Sequence, residues 1–180
     1  LSVIDANIDF SGIQAVHFLL PKNQTALVEG GQGFPWTGDL NNYNSMEGKI
    51  SAFSILGQYF NDPSRPYWTY WAHEYGHVLG IPHIGSSSIS YSFQQYDLMG
   101  DQDARRELSG WHRFAVTKWL EDKWVFCKNK GNINSEIVYL NDLNSIGDGN
   151  KLVIIPVSSS KTLIAESRRI NKYAGQARVT

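Results

Sequence analysis

The sequence predicts an α+β fold in which a twisted mixed sheet packs on a helix. Short apolar or alternating runs bounded by Gly, Pro, Asn or Ser are typical of strands, and two longer segments carry the helical period. Hydrophobic residues make up 42% of the 180 residues, and charged residues make up 18%. This composition supplies a hydrophobic core and argues against intrinsic disorder.

The individual elements follow from these patterns in chain order. We predict strands at residues 15–20, 49–56, 123–127, 136–140, 151–157 and 162–167, and helices at residues 67–80 and 104–120. Residues 23–44 are rich in Gly, Asn, Thr and Pro. This segment is therefore predicted to be a long loop, with a turn at residues 30–33.

The charge balance and the cysteine count exclude several classes of protein. The chain has 16 Lys and Arg against 17 Asp and Glu, a net charge of −1, so it lacks the basic surface of a nucleic-acid binder. No apolar run is long enough to span a bilayer. The only cysteine, Cys127, excludes an internal disulfide and a multi-cysteine metal site. We predict that its thiol is buried and unreactive.

The helix predicted at residues 67–80 has two different faces. At 100° per residue, one side forms an apolar stripe, which we expect to pack on the sheet. His73 and His77 lie one turn apart on the roughly opposite side. The stripe consists of Trp68, Trp71, Tyr75, Val78 and Leu79.

The segment HEYGHVLGIPH, residues 73–83, matches the pattern HExxHxxGxxH at every specified position. Two imidazoles one helical turn apart, here His73 and His77, can bind the same zinc ion at about 2.0–2.1 Å. Gly80 permits a tight reversal after the helix, which carries His83 back as the third ligand. The fourth tetrahedral position is then left for water.

Glu74 is the predicted catalytic residue. It lies about 60° around the helix from His77, close enough to act on that water without being a ligand. Its expected role is that of general base and then proton shuttle, while zinc lowers the pKa of the water and polarises the substrate carbonyl.

Three alternatives to this interpretation stay open. Glu107 could complete the site instead of His83, as in gluzincins, where a downstream glutamate is the third ligand. The domain could also be a catalytically inactive zinc-bearing binding module. Finally, the same zinc–water chemistry could hydrolyse a non-peptide substrate. Separately from these alternatives, residues 141–150 have some character of a calcium loop, although Asp148 and Gly149 favour a turn there.

The zinc motif and the segment after it resemble those of the metzincin metallopeptidases. Met99, in the segment YDLMG at residues 96–100, lies where these enzymes have a methionine-containing turn under the metal. Within the group, the chain is most similar to the secreted bacterial immune inhibitor A type metallopeptidases. The similar segments are residues 73–82, 96–100, 108–112 (LSGWH) and 163–168 (LIAESR).

The resemblance implies a zincin-like catalytic domain at residues 1–122, followed by the start of a β-rich C-terminal part at residues 123–180. It implies a zinc-dependent metalloendopeptidase that cleaves an extended peptide or protein and is secreted, with Met99 in a structural role beneath the metal. We expect the chain to be an excised piece of a longer precursor, with the C-terminal part packed on the same domain and truncated.

The sequence departs from the family pattern at two positions. The third ligand position often carries Asp in the immune inhibitor A type family, whereas here it is His83. Some metzincins have a Tyr two residues after the turn methionine, where this chain has Asp101. Tyr91 and Tyr96 are therefore the candidates for an oxyanion donor besides zinc.

Two further positions have two interpretations each. Residues 49–56 resemble the edge strand that pairs with extended substrate in zincins, but they fit an ordinary sheet strand equally well. Gly76 lies inside the helix, where glycine costs about 1 kcal/mol relative to alanine. Either a neighbour packs closely against it, or the substrate side needs the space.

Overall fold

Strands and helices of this protein divide between two compact units, Leu1–Ala104 and Arg105–Thr180. The computed structural model describes residues 4–19, 31–34, 45–48, 50, 52–56, 67–84, 96–101 and 106–169. The predicted boundary at residues 122 and 123 lies within the second unit. Among the described residues, no helix has both the length and the apolar character needed to cross a membrane.

The first unit is built on a three-stranded mixed sheet with the order β1-β3-β2. Strand β1 (Ala15–Leu19) runs parallel to β3 (Ala52–Leu56), and β2 (Gly31–Phe34) runs antiparallel to β3. Helix α1 (Tyr67–Val78) packs against β2 and β3. The coarse prediction of an α+β fold with a mixed sheet on a helix is therefore confirmed.

The sheet differs from the prediction in two respects. Gly31–Phe34 forms a strand, whereas residues 30–33 were predicted to be a turn, because β3 supplies the hydrogen-bonding partner that local glycine content cannot reveal. The rest of the predicted loop lies outside the described residues. Strand β3 has a neighbour on both sides, so the interpretation of residues 49–56 as an edge strand is wrong.

Helix α1 buries a different face from the predicted one. Within the predicted stripe, Trp71, Tyr75 and Leu79 are 48%, 40% and 50% exposed. The rings of Trp71 and Tyr75 do lie against the sheet, where they contact His17 of β1 at centroid distances of 6.4 and 4.8 Å. The buried residues of α1 are instead Thr69, Tyr70, His73, Glu74 and Gly76.

The second unit has its own sheet and core. Strand β4 (Val125–Cys127) runs parallel to β5 (Leu152–Ser158), which pairs antiparallel with β6 (Lys161–Glu166). Behind these strands, buried leucine and isoleucine side chains form an apolar cluster with surrounding aromatic rings. Its buried members are Leu120, Leu143, Leu152 and Ile154.

The predicted helix at residues 104–120 is much shorter in the structure. Of the described residues in this segment, 106–120, only 110–116 are helical, and the last five of these, His112–Val116, form a π-helical turn. The side chain of Glu166 accepts a hydrogen bond from the Gly110 amide. The helical path ends where Lys118 takes a left-handed φ of +61°. The hydrogen bond from Gly110 and the left-handed backbone of Lys118 arise from the tertiary fold and from local backbone conformation. The spacing of apolar residues in the sequence could not predict either of them.

Two other predictions in the second unit are wrong. Residues 136–140 are not a strand: Ile137 and Tyr139 are strongly exposed, and among the described residues no strand pairs with this segment. The apolar run at residues 137–140 resembles a strand, but a local pattern could not supply a ladder partner. Cys127 is exposed, because it ends a three-residue strand that has only β5 as its described neighbour.

Candidate metal centre

Three histidine side chains of the first unit converge on one point. Helix α1 places His73 and His77 one turn apart, with ring centroids 4.8 Å from each other. The Nε2 atom of His83 lies 3.1 Å from Nε2 of His73 and 3.0 Å from Nε2 of His77. These three residues can hold a metal ion, and they form the one such group found among the described residues.

The protonation of two of these rings is fixed by backbone carbonyls. His73 Nδ1 donates to the Leu98 carbonyl at 2.7 Å, and His77 Nδ1 donates to the Ile81 carbonyl at 2.9 Å. Because a carbonyl only accepts, Nδ1 carries the proton in each neutral ring. The Nε2 lone pairs of both rings therefore face His83.

This donor arrangement fits a tetrahedral zinc ion. Two nitrogens bound at about 2.0–2.1 Å in tetrahedral geometry lie about 3.3–3.4 Å apart, within a few tenths of an ångström of the separations from His83. A single proton on His83 cannot form a good hydrogen bond to both facing lone pairs, whereas one cation between the three nitrogens satisfies all of them.

Burial keeps two of the three histidines in the form that can bind metal. Desolvation lowers the pKa of His73 to about 4, against the opposing effect of its hydrogen bond to Leu98. Desolvation also lowers the pKa of His77. Both imidazoles are therefore neutral at neutral pH, as metal binding requires.

The lowered pKa of His73 predicts an acid-sensitive metal-free protein. In the unfolded chain His73 takes up a proton as the pH falls below about 6.5, whereas in the folded protein it takes up the proton only near pH 4. Protonation between these two values therefore favours the unfolded state. Up to about 3 kcal/mol of unfolding free energy is then lost between these two values. Urea unfolding of chelator-treated protein at pH 7 and pH 4.5 measures this loss. The variant His73→Gln, which does not titrate, should lose less over the same interval, and equal losses would contradict the assignment.

The end of α1 brings His83 back to the other two histidines. Gly80 takes a left-handed φ of +81°, its amide donates to the His77 carbonyl, and the Ile81 amide donates to the Gly76 carbonyl, both at 2.9 Å. These two bonds define a Schellman motif. The motif accounts for the predicted structural role of Gly80 and also aims the Ile81 carbonyl at His77.

The turn around Met99 forms hydrogen bonds with residues at both ends of the histidine cluster. Met99 is fully buried, and its amide donates to Asp97 Oδ1 at 2.7 Å. The Leu98 carbonyl of this turn accepts from His73, and the Met99 carbonyl accepts from the Ile84 amide at 3.3 Å. The turn therefore holds both His73 and the residue that follows His83, and the role of Met99 beneath a bound metal stays a prediction.

Gly76 is required by the close approach of Met99. A Cβ at residue 76 would lie 2.6 Å from Sδ and 3.1 Å from Cε of Met99. Of the two interpretations of this glycine, close packing is therefore the correct one.

Substitution of Gly76 by alanine should couple energetically to Met99. The change gains about 1 kcal/mol of helix propensity but overpacks a fully buried side chain at a cost of about 1–3 kcal/mol, so we expect a net loss of about 1 kcal/mol. In a Met99→Val background, which lacks Sδ and Cε, Gly76→Ala should become stabilising. Urea unfolding of the four proteins tests this coupling. Gly131→Ala, in a three-residue 3₁₀ turn of the second unit where an added Cβ meets nothing within 4 Å, is the control for a glycine-to-alanine change without overpacking.

The remaining predicted site residues have different outcomes. Glu74 is buried on α1 directly after His73. Tyr96 is half-buried at the start of the Met99 turn, and Tyr91 lies outside the described residues. Glu107 forms an ion pair with Arg113 at 2.6 Å and is not a member of the histidine group.

Residues 141–150, which were considered as a calcium loop, form a turn. The Asn141 amide donates to the Asn150 carbonyl at 2.7 Å, and Asn141 Nδ2 donates to the Asp148 carbonyl at 2.6 Å. Gly149 has a φ of +113°, and a Cβ there would lie 2.5 Å from Asn141 Nδ2. The predicted turn is therefore present, and within the described parts of the chain no acidic ligand group accompanies it.

Sequence reasoning did not find the groups that orient the ligands. The carbonyls of Leu98 and Ile81 carry no sequence signal, because every residue has a carbonyl. Asp97 lies within the YDLMG segment, and the only sequence feature that could have indicated its role was its position before a turn.

Comparisons of the chain with models of protein families, with curated proteins and with solved structures found no match.

Proposed function

We propose that the protein is a zinc-dependent metalloendopeptidase. The convergence of three imidazole Nε2 atoms, two of them held in the metal-binding tautomer, is the observation that carries the proposal. Imidazole nitrogens suit zinc, and a site with three protein ligands keeps a position open for water or substrate. The histidine set favours His83 over Glu107 as the third ligand.

Glu74 supplies the proton chemistry in this proposal. A bound zinc ion would supply Lewis acidity, which activates water and polarises the carbonyl of the scissile peptide bond. The carboxylate of Glu74 accepts a proton from the attacking water, which forms the new C–O bond. Glu74 then gives the proton to the leaving nitrogen as the C–N bond breaks, so the products are a carboxylic acid and an amine.

The mixed sheet supports an extended peptide as the substrate. Strand β2 pairs with β3 on one side and has no second neighbour in the described sheet, and it packs against the helix that carries His73 and His77. An edge strand presents unpaired backbone groups with which an extended chain can form an antiparallel ladder. We therefore transfer the substrate-pairing role, first considered for residues 49–56, to the edge formed by β2.

The test uses a disordered protein as substrate. The full chain is stripped of metal with a chelator and dialysed, and cleavage is measured by mass spectrometry before and after addition of one equivalent of zinc. Internal cleavage that appears only with zinc supports an endopeptidase. A protein that binds zinc but leaves the substrate intact would contradict the proposal and support the inactive zinc-bearing module.

A further inference from the structure

Asp97 is a buried carboxylate that is not among the metal ligands. It is fully buried in the first unit, at the start of the turn that contains Met99. Burial of a carboxylate is costly unless its charge is compensated by hydrogen bonds or by nearby positive charge. Because Asp97 lies next to the histidine cluster, we ask whether its buried charge contributes to metal binding there.

The hydrogen bonds of Asp97 close the turn around Leu98. Its Oδ1 accepts from the Met99 amide at 2.7 Å, and its carbonyl accepts from the amides of Gly100 and Asp101, both at 3.0 Å. The carbonyl of Leu98, enclosed by these bonds, accepts from His73 Nδ1 at 2.7 Å. Asp97 thus holds the group that sets the tautomer and the orientation of His73.

The charge of Asp97 also acts on His73. Asp97 directly precedes Leu98, whose carbonyl accepts from His73 Nδ1, so its fully buried carboxylate acts on that imidazole in a low-dielectric environment and stabilises positive charge there. A ligand imidazole takes on positive charge when it binds a metal cation. Groups that orient ligand histidines and raise their basicity strengthen metal binding.

We infer that Asp97 is a positioning residue of the metal centre: it holds the Leu98 carbonyl on His73 and, through its negative charge, strengthens zinc binding at Nε2 of His73. The inference rests on the proposed zinc site. It adds a residue that is not a member of the histidine group and that acts through His73.

The test separates the charge of Asp97 from its hydrogen bond. Asp97→Asn keeps an Oδ1 acceptor for the Met99 amide but removes the charge. Asp9→Asn is the matched control, because Asp9 Oδ1 accepts from the Ser11 amide at 2.8 Å in the same local geometry, but at an exposed site. The zinc dissociation constant of each full-length protein is measured by competition with a chromophoric chelator, and unfolding of the metal-free proteins is measured in parallel.

We expect Asp97→Asn to weaken zinc binding by about 10–100-fold and Asp9→Asn to leave it unchanged. Zinc affinity equal to that of the wild type in folded Asp97→Asn would overturn the inference, because this variant removes the negative charge to which the stronger zinc binding is assigned. If Asp97→Asn does not fold, Asp97→Ser, which also offers an uncharged acceptor to the Met99 amide, is measured against the same criterion. A wild-type protein that binds no zinc would contradict the proposed function itself, whereas equal binding by wild type and variant contradicts only the role of Asp97.

Discussion

Replacement of Glu74 by glutamine is expected to lower turnover of an unfolded protein substrate by about 10²–10⁴-fold, because the amide cannot accept the proton of the attacking water. Zinc content should stay at the wild-type level, since the histidine ligands are unchanged. Glutamine has nearly the shape of glutamate and can occupy the same buried position on α1. The measurement is kcat at saturating zinc, together with metal per chain.

The control for this substitution is Glu121→Gln, which removes one carboxylate charge at an exposed position. Its turnover should match that of the wild type. Equal turnover by Glu74→Gln and wild type would remove Glu74 from the mechanism. Loss of zinc from Glu74→Gln would instead assign this carboxylate to the structure of the site.

Removal of the His83 imidazole is expected to weaken zinc binding by more than about 100-fold. Loss of a group that merely orients a ligand typically costs 10–100-fold in metal affinity, and loss of a direct ligand should cost more. His73 and His77 keep their carbonyl partners in the variant His83→Ala, so their tautomers do not change. The dissociation constant is measured by competition with a chelator of known affinity.

Glu107→Ala is the matched variant for the competing ligand assignment. Because Glu107 pairs with Arg113 and is not in the histidine group, this substitution should leave zinc affinity unchanged. The reverse result, with zinc lost from Glu107→Ala and kept by His83→Ala, would replace the three-histidine site with a gluzincin arrangement.

The cluster of three histidines could be predicted because it depends on local geometry. The helical period places His73 and His77 one turn apart, and Gly80 is needed where the helix reverses. The structure confirms this short-range part and adds its detail: α1 ends at Val78, before the left-handed Gly80, and the Schellman motif carries the chain on toward His83.

The buried face of α1 could not be predicted from hydrophobicity. Thr69, His73 and Glu74 are buried there, while Trp71 and Tyr75 stay partly exposed against His17. A helix that carries a functional site can bury polar groups, because the surrounding fold supplies their hydrogen bonds. The apolar stripe therefore correctly indicated contact with the sheet and wrongly indicated burial.

Strand pairing also could not be predicted from local sequence patterns. Gly31–Phe34 has the composition of a loop and became a strand because β3 lies beside it, whereas residues 136–140 contain a strand-like apolar run and no strand in the described part of the chain pairs with them. A ladder needs a second strand at the correct distance, and this is a property of the fold as a whole. For the same reason, the exposure of Cys127 depends on how few neighbours β4 has.

The most direct test of the zinc peptidase assignment is a metal titration followed by activity. Metal-free protein at a known concentration receives increasing zinc, and the initial rate of cleavage of a disordered protein is measured at each point. The proposed mechanism predicts a rate that rises linearly and reaches a plateau at one zinc ion per chain, with the plateau removed by His83→Ala at the same zinc concentrations. A rate that does not depend on zinc, or a chain that binds zinc without any cleavage, would contradict it.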